Sequence, residues 1–497
     1  MMTTTQRTVQ TTIQKSNAAG LGRILSAGTL WAWAGMSALL TFGGVVGCDS
    51  EPNGGLGPGA GDMPDAGAPD GAPAATHGCS DIFAAGVFPT FDITVSDADW
   101  AMMLEEHGAR AGGGAADPAE ETWRPAVFRY GTEEFPNASI RLKGSAWAWD
   151  KSKMHFVVAF HRAQPDDRFR GLRQIELDAT PYDPSFLRNR LALSYLRDLG
   201  LPASCANSAR ININGVYYGL FTSIEAVDEQ FVSRNFPDAT GGDLWMHGWK
   251  PANLATARLD RRDQLFATVD VDGLDALADL DQAIAEWAAE AVIPQGDGYW
   301  GLGASYYLYD HPSRGFLFIP YNLAASFDWQ PSNADPVMWT GSWAVGPTAQ
   351  YLAVMADPGW RAKYVAAVEA ATAAYDVMEL RRRVDEWSAQ ISAAVVDDPR
   401  KPFSMDAHLQ TVKRLRGFLM TRAAFLNSWA ACMASGGKDG DNDGYPFCRD
   451  CDDGNQAAHP GATESCETPM IDDNCNGRRN EGCVEPPPLT ISPLVQW

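Results

Sequence analysis

Residues 187–225 read LRNRLALSYLRDLGLPASCANSARININGVYYGLFTSIE, and the fold turns on how they are taken. Over 187–199 apolar side chains recur at helical spacing. Gly200 follows at the place where a helix C-cap takes glycine. Residues 210–214, then Gly215, then 216–225 read as strand, turn and strand, with Asn214-Gly215 as the turn dipeptide.

Upstream, residues 90–95 alternate as a strand does, and Ser96 can N-cap a short helix to His107. Residues 108–119 read as a Gly/Ala-rich loop. Residues 126–130, 138–142 and 154–160 look like further strands. Downstream, 269–292 has a helical pattern, 306–309 and 316–320 are strands, and from Gln350 the chain is helical almost to Ser435, broken near 397–404. Strands dominate the first half and helices the second. That order predicts an α+β domain over 79–435, a strand-rich lobe followed by a helical one.

The 497 residues allow two to four structural units. With 45% apolar residues and 17 Trp, most of the chain is expected to be globular. The formal charge of -23 argues against nucleic acid as a partner, since that needs basic surface. Only one apolar segment is long enough to cross a bilayer, which excludes a polytopic transporter.

That segment lies at the N-terminus. Residues 1–47 hold no acid; Arg7, Lys15 and Arg23 precede an uncharged run over 24–47. This reads as an export signal. Val45-Val46-Gly47-Cys48 resembles the lipobox of bacterial lipoproteins, which implies acylation of Cys48 and a lipid anchor in the membrane; an uncleaved membrane span is the other reading. Residues 48–78 follow as a tether, with 8 Gly and 5 Pro in the 30 residues after Cys48. So little apolar surface cannot offset chain entropy. The expected location is the cell envelope or cell surface. Beyond Cys48 there are eight Cys, five of them in the last 50 residues. An exported chain with this pattern is expected to form disulfides. Cys79, Cys205 and Cys432 cannot all pair among themselves, so one, Cys432 by preference, is expected to join the C-terminal five.

The block at 187–202, with Ile213-Asn214-Gly215-Val216-Tyr217-Tyr218-Gly219-Leu220-Phe221 and Glu225, resembles the spore coat protein H (CotH) kinase family. So do Ile140-Arg141-Leu142-Lys143-Gly144-Ser145 upstream and Gly296-Asp297-Gly298-Tyr299-Trp300 … Tyr306-Tyr307-Leu308-Tyr309 … Phe318-Ile319-Pro320 downstream. The resemblance covers about 350 residues in the family's order. It implies an atypical protein-kinase-like fold of two lobes that uses ATP with magnesium or manganese to phosphorylate Ser. Phosphoryl transfer needs a cation on the phosphates, a carboxylate for the hydroxyl, and oxygens on the metal. By resemblance Asp297 is the catalytic-loop Asp, and Lys143, Lys151 and Lys153 are candidates for the phosphate-binding cation. Glu225 would pair with a Lys or fix the lobe interface, and Arg188 and Arg190 are structural candidates. Two positions depart from the family: Ser305 stands where it has Asn, and Ala324 where it has a metal-holding Asp. Asn322 or Asp328 could compensate only with a shifted turn.

Residues 436–483 differ in composition, with eleven acids against four basic residues. Asp439, Asp441 and Asp443 with Gly444 occupy positions 1, 3, 5 and 6 of an EF-hand-like loop, and Asp450 falls at position 12. No helical pattern flanks the loop. The stretch resembles the metal-binding repeat of exported proteins from myxobacteria and relatives. Its hard oxygen set favours calcium. So small a module is expected to be stapled by disulfides and metal, and 484–497 to be an extended tail. Two functions follow: a surface protein that uses a degenerate kinase-like domain to bind an unknown protein partner or substrate, or an active exported kinase using Asp297.

Overall fold

The computed structural model describes residues 78–110, 122–143, 152–237, 241–338, 347–468, 471–475 and 483. All belong to the unit Ala72–Trp497. The export signal, Cys48, the tether up to residue 77, Lys151 and the tail lie outside the described residues.

Seven strands close into a barrel: β1 (Thr90–Val95), β2 (Arg124–Tyr130), β3 (Glu133–Leu142), β4 (Phe156–Ala159), β5 (Gln174–Asp178), β6 (Ala206–Ile213) and β7 (Val216–Glu225). The order is β1-β2-β3-β4-β5-β7-β6, and β6 returns parallel to β1 to complete the ring. Alternation sends Phe91, Ile93, Phe128, Ile140, Ile175, Leu177 and Ile211 inward, where they pack around Phe169. Closure removes the edges that would otherwise offer unpaired backbone groups. The β6–β7 turn has Asn214 at φ 51 and Gly215 at φ 79, both in the left-handed region such a turn requires. Helix α1 (Asp97–Arg110) follows β1, and the Asp99 N–H donates to Ser96 Oγ at 3.1 Å. The strand expected over 154–160 is shorter, and β5 was not anticipated.

Helix α2 (Arg188–Asp198) precedes β6 and ends ahead of Gly200 at φ 75. After β7 come α3 (Glu229–Asn235), β8 (Asp243–Met246), β9 (Lys250–Asn253), α4 (Leu259–Ala267), α5 (Val271–Leu277), α6 (Leu280–Val292), α7 (Tyr299–Leu302), β10 (Tyr306–His311) and β11 (Gly315–Pro320). The four strands form a second sheet, β11-β10-β8-β9. So the half expected to be mainly helical holds a sheet of its own. The pattern over 269–292 splits at Ala278–Asp279. There the chain docks on β11: the Asp279 N–H donates to Phe316 O at 3.0 Å, and its carboxylate caps α6 at Gln282 N, 3.0 Å. Helices α8 (Ala349–Ala356), α9 (Pro358–Ala373), α10 (Val377–Asp397) and α11 (Met405–Ser435) complete the largest core, around Trp245, Trp287, Trp300 and Trp429.

Four disulfides join Cys79–Cys205, Cys432–Cys448, Cys451–Cys475 and Cys466–Cys483. Cys432, on α11, does pair into the C-terminal module, and Phe447 packs on Phe425 beside it. Among the described residues of 436–483 there is neither helix nor strand. Loops of this kind rest on their cross-links.

Candidate functional site

Between the barrel and the second sheet lies a crevice lined by Lys143, Asn189, Leu193, Ser204, Ile224, Pro320, Tyr321 and Asn322. Lys143 enters it from the end of β3. Its ammonium is 3.2 Å from Glu176 and 3.5 Å from Asp178, two acids of β5, and 5.3 Å from the centre of the Tyr321 ring. Burial works against its charge, but Tyr321, Glu176 and Asp178 hold it well above the ordinary lysine range. Burial likewise opposes the Asp178 carboxylate, and Lys143 with the His155 hydrogen bond outweighs it, keeping Asp178 ionised. Its charge is thus met by the two acids of β5.

The other lysine candidates do not meet there. Lys153, fully buried, donates to Asp398 Oδ2 at 2.7 Å and to the Leu220 carbonyl. Asp398 follows α10 and also accepts the Leu220 and Arg400 N–H groups at 2.9 Å. This pair clasps the barrel to the helices. It needs Gly219, where a Cβ would stand 2.7 Å from Lys153 Cε. Burial brings Lys153 down to about 8. Among the described residues Glu225 pairs with no lysine: it takes two hydrogen bonds from Arg234 of α3, at 3.0 and 2.6 Å, and one from Cys205 N at 3.0 Å. It anchors the end of β7. Arg190 lies over Trp387 at 3.9 Å and bonds Gln390, which joins α2 to α10.

Asp297 sits in the loop before α7, half-buried, with Oδ1 lacking any hydrogen-bond partner. Burial pushes it up to about 6, partly offset by a hydrogen bond from Ser305. Ser305 is buried at φ 52 and its carbonyl accepts Tyr321 N at 3.1 Å, which links this loop to the crevice wall. Beneath Asp297, Glu286 and Glu290 of α6 are 1% and 0% exposed, and none of their four carboxylate oxygens meets a donor outside the pair. Burial raises both well above the carboxylate range, and Glu286 and Asp297 raise Glu290 further. This stack was missed in the sequence. Its signal was there: two acids four apart in Ala283–Val292, a segment otherwise Ala, Ile, Trp and Val, and a helix apolar all round is a buried one.

The turn after β11 carries the departures. Asn322 stands at φ 53, and its carbonyl accepts Gln295 Nε2 at 3.1 Å. Ala324 presents a methyl, and its carbonyl accepts Arg188 Nε at 2.9 Å. Asp328 does not turn inward in its place. It faces Arg188 at 3.3 Å and Arg414 at 3.6 Å. No carboxylate lines the crevice, so the described residues do not fit a catalytic magnesium there.

The C-terminal loop is different. Oxygens of Asp439, Asp441 and Asp443 lie within 4.8 Å of one another. Asp439 accepts Asn442 N at 2.6 Å and Gly444 N at 2.9 Å, and Asp453 accepts Gly440 N at 2.8 Å, which curls the chain around the acids. One oxygen each of Asp441, Asp443 and Asp450 is buried without a partner. Burial, then Asp443 and Asp441, pushes Asp450 up to about 6, so these carboxylates are close enough to repel. Such a set fits a hard divalent cation, which would supply the missing charge. Cys451 and Cys475 beside Asp450 are joined to each other and offer no thiolate.

The profile of the CotH kinase protein family matches residues 140–264 and 269–426, more than half of the chain. The Cu-binding MopE metal-binding motif matches 450–481. Over 110 residues the chain is 33% identical to inner spore coat protein H of Bacillus subtilis (strain 168); that stretch is 22% of this chain and 29% of that protein's length. Among solved structures, the Shewanella oneidensis MR-1 HipA, HipB and operator DNA complex aligns over 67% of this chain and 73% of the other, at 12% identity and a TM-score of 0.30. This chain belongs to the CotH kinase protein family and carries a metal-binding motif in its C-terminal module.

Proposed function

We propose that this chain is an exported, lipid-anchored surface protein whose kinase-like domain serves mainly to bind a protein partner, with little or no phosphotransfer. The observation that carries the reading is the turn after β11, where Ala324 presents a methyl and Asp328 is held by two arginines instead of taking its place. Without metal ligands the charge of a bound triphosphate stays unneutralised. In the C-terminal module, calcium held by Asp439, Asp441, Asp443 and Asp450 would act as a staple beside the disulfides. Four disulfides favour an oxidising compartment, in keeping with export.

A second reading, an active exported kinase, has one observation in its favour: Asp297 has an unpartnered oxygen and titrates near 6, where a base for a serine hydroxyl works well. The test is autophosphorylation of the full chain with ATP and magnesium or manganese, wild type against Asp297→Ala. We expect both to be near background. Robust transfer lost in Asp297→Ala would sink the binding reading. Anchoring is tested by Cys48→Ser, which should move the protein out of the detergent phase; unchanged partition with an intact N-terminus would point to a membrane span.

A further inference from the structure

The buried acid pair of α6 lies under the loop that carries Asp297. Among the described residues Glu286 and Glu290 have no hydrogen-bond partner but each other. Such a pair is stable only while it shares a proton, because two charges there would meet neither water nor a cation. The groups packed around it offer no relief. Asp297 above is a third acid. Tyr364 of α9 donates to the Pro336 carbonyl at 3.0 Å, and Asp335, which also acts on Tyr364, is acidic. Arg422 of α11 reaches the end of α6 but gives its donors to the carbonyls of Ala291, Val292, Ser332 and Ala334. Tyr299 and Tyr351 lie against Trp287. β11, α7 and α8 carry no charged residue.

On the loop side the cover is thin. A Cβ at Gly298 would stand 2.0 Å from Glu290 Oε2, so loop backbone lies directly on that carboxyl. The Gln295 N–H donates to the Glu290 carbonyl at 2.9 Å. Gln295 also ties the loop to the turn after β11: its Nε2 donates to Asn322 O at 3.1 Å, and its Oε1 accepts Ser326 Oγ at 3.3 Å. The Gly296 N–H adds a bond to Ala325 O at 3.2 Å. Asp297, half-buried, is the part of 295–298 nearest solvent. The other sides of α6 pack into the largest core. Lifting loop and turn together is therefore the least costly way to bring water to a charge on the pair. We propose that Glu286 and Glu290 are a proton-operated latch: the shared proton holds the 295–298 loop and the 322–326 turn closed, and its loss lets them open to water. Burial, which brings Glu286 to about 8, sets the pH at which the latch acts.

The test is amide hydrogen exchange of the full-length protein, read by mass spectrometry from about pH 6 to 9 and corrected for the base-catalysed intrinsic rate. Wild type should lose about tenfold in protection at 295–298 and 322–326, the factor that one proton lost over the pH unit above 8 supplies. At pH 9 these segments should still exchange faster than the barrel strands and should not respond to low urea, the mark of local opening. Glu286→Gln with Glu290→Gln keeps both shapes and leaves no acid to ionise, and should flatten the pH dependence of both segments. Glu286→Gln alone should reduce it, and serves as the comparison should the double variant fail to fold. A wild type whose protection does not change with pH, an unchanged fall in a folded variant, or loop exchange that rises with urea in step with the barrel overturns the proposal. Each of these outcomes leaves the binding reading of the domain standing, whereas metal-dependent phosphotransfer overturns that reading and leaves the latch.

Discussion

Replacing Glu286 by Gln should stabilise this protein, and more so as pH rises. Glu286 and Glu290 face each other on α6, and none of their oxygens has a hydrogen-bond partner outside the pair. Burial pushes Glu286 up from an ordinary 4.5 to about 8. Between those two values the folded state holds a proton that the unfolded chain has lost. Stability therefore falls as pH rises through that window and levels off above it. At about 1.4 kcal/mol per pH unit, the Glu286 carboxyl alone accounts for about 5 kcal/mol, reached near pH 8. A glutamine has the same shape, does not titrate, and can donate to Glu290. Calorimetry in chelator, from pH 5 to 8.5, should show almost no difference between variant and wild type at pH 5. At pH 8 the variant should melt several degrees higher; at roughly 2 °C per kcal/mol for a large domain the Glu286 share corresponds to about 10 °C. Asp228, Asp297, Asp335 and Asp450 are also raised, but they are common to both proteins and cancel in the difference; Glu290 does not cancel, because the Glu286 charge that helps raise it is gone in the variant, which adds to the gain at high pH. Equal gains at pH 5 and pH 8, or a loss at pH 8, would falsify the assignment of a buried, unpartnered acid pair.

Calcium should raise the melting transition of the C-terminal module in the full chain by mass action, and Asp441→Ala with Asp443→Ala should remove that shift; equal transitions in calcium and EDTA would rule the site out. Asp398→Asn should leave the Lys153 ammonium buried and unpaired and cost about 3–5 kcal/mol in urea unfolding at pH 6. Because the Asp398 charge is what holds Lys153 up at about 8, the amine loses its proton more readily in the variant, and the penalty should shrink as pH rises from 6 to 9; a pH-independent penalty would mean that packing alone is lost.

Residues whose role lies within one element were readable along the chain. Ser96 at the start of α1, Gly200 after α2 and Asn214-Gly215 between β6 and β7 each answer a local backbone need, and each stands where the sequence indicated. The aspartate loop at 439–444 is also local, since its carboxylates come from neighbouring residues. Roles that depend on a distant partner were not readable. Lys143, Lys151 and Lys153 looked alike in the sequence. Asp398, 245 residues beyond Lys153, is what sets that lysine apart. Glu225 was open between a lysine partner and a structural role until Arg234 of α3 came within reach.

The sequence by itself determined the family, the acidic, cysteine-rich composition of the C-terminal run, and the departures at Ser305, where the family has Asn, and at Ala324, where it has Asp, because these depend only on which residues occur in which order. Tertiary structure decided the rest. The parallel pairing of β1 with β6, across more than a hundred residues, closes the barrel. The approach of Asn189 to Lys143 and Asn322 makes the crevice, and Arg188 and Arg414 take up Asp328. Each is a contact between segments far apart in the chain, set by core packing that has no local signature.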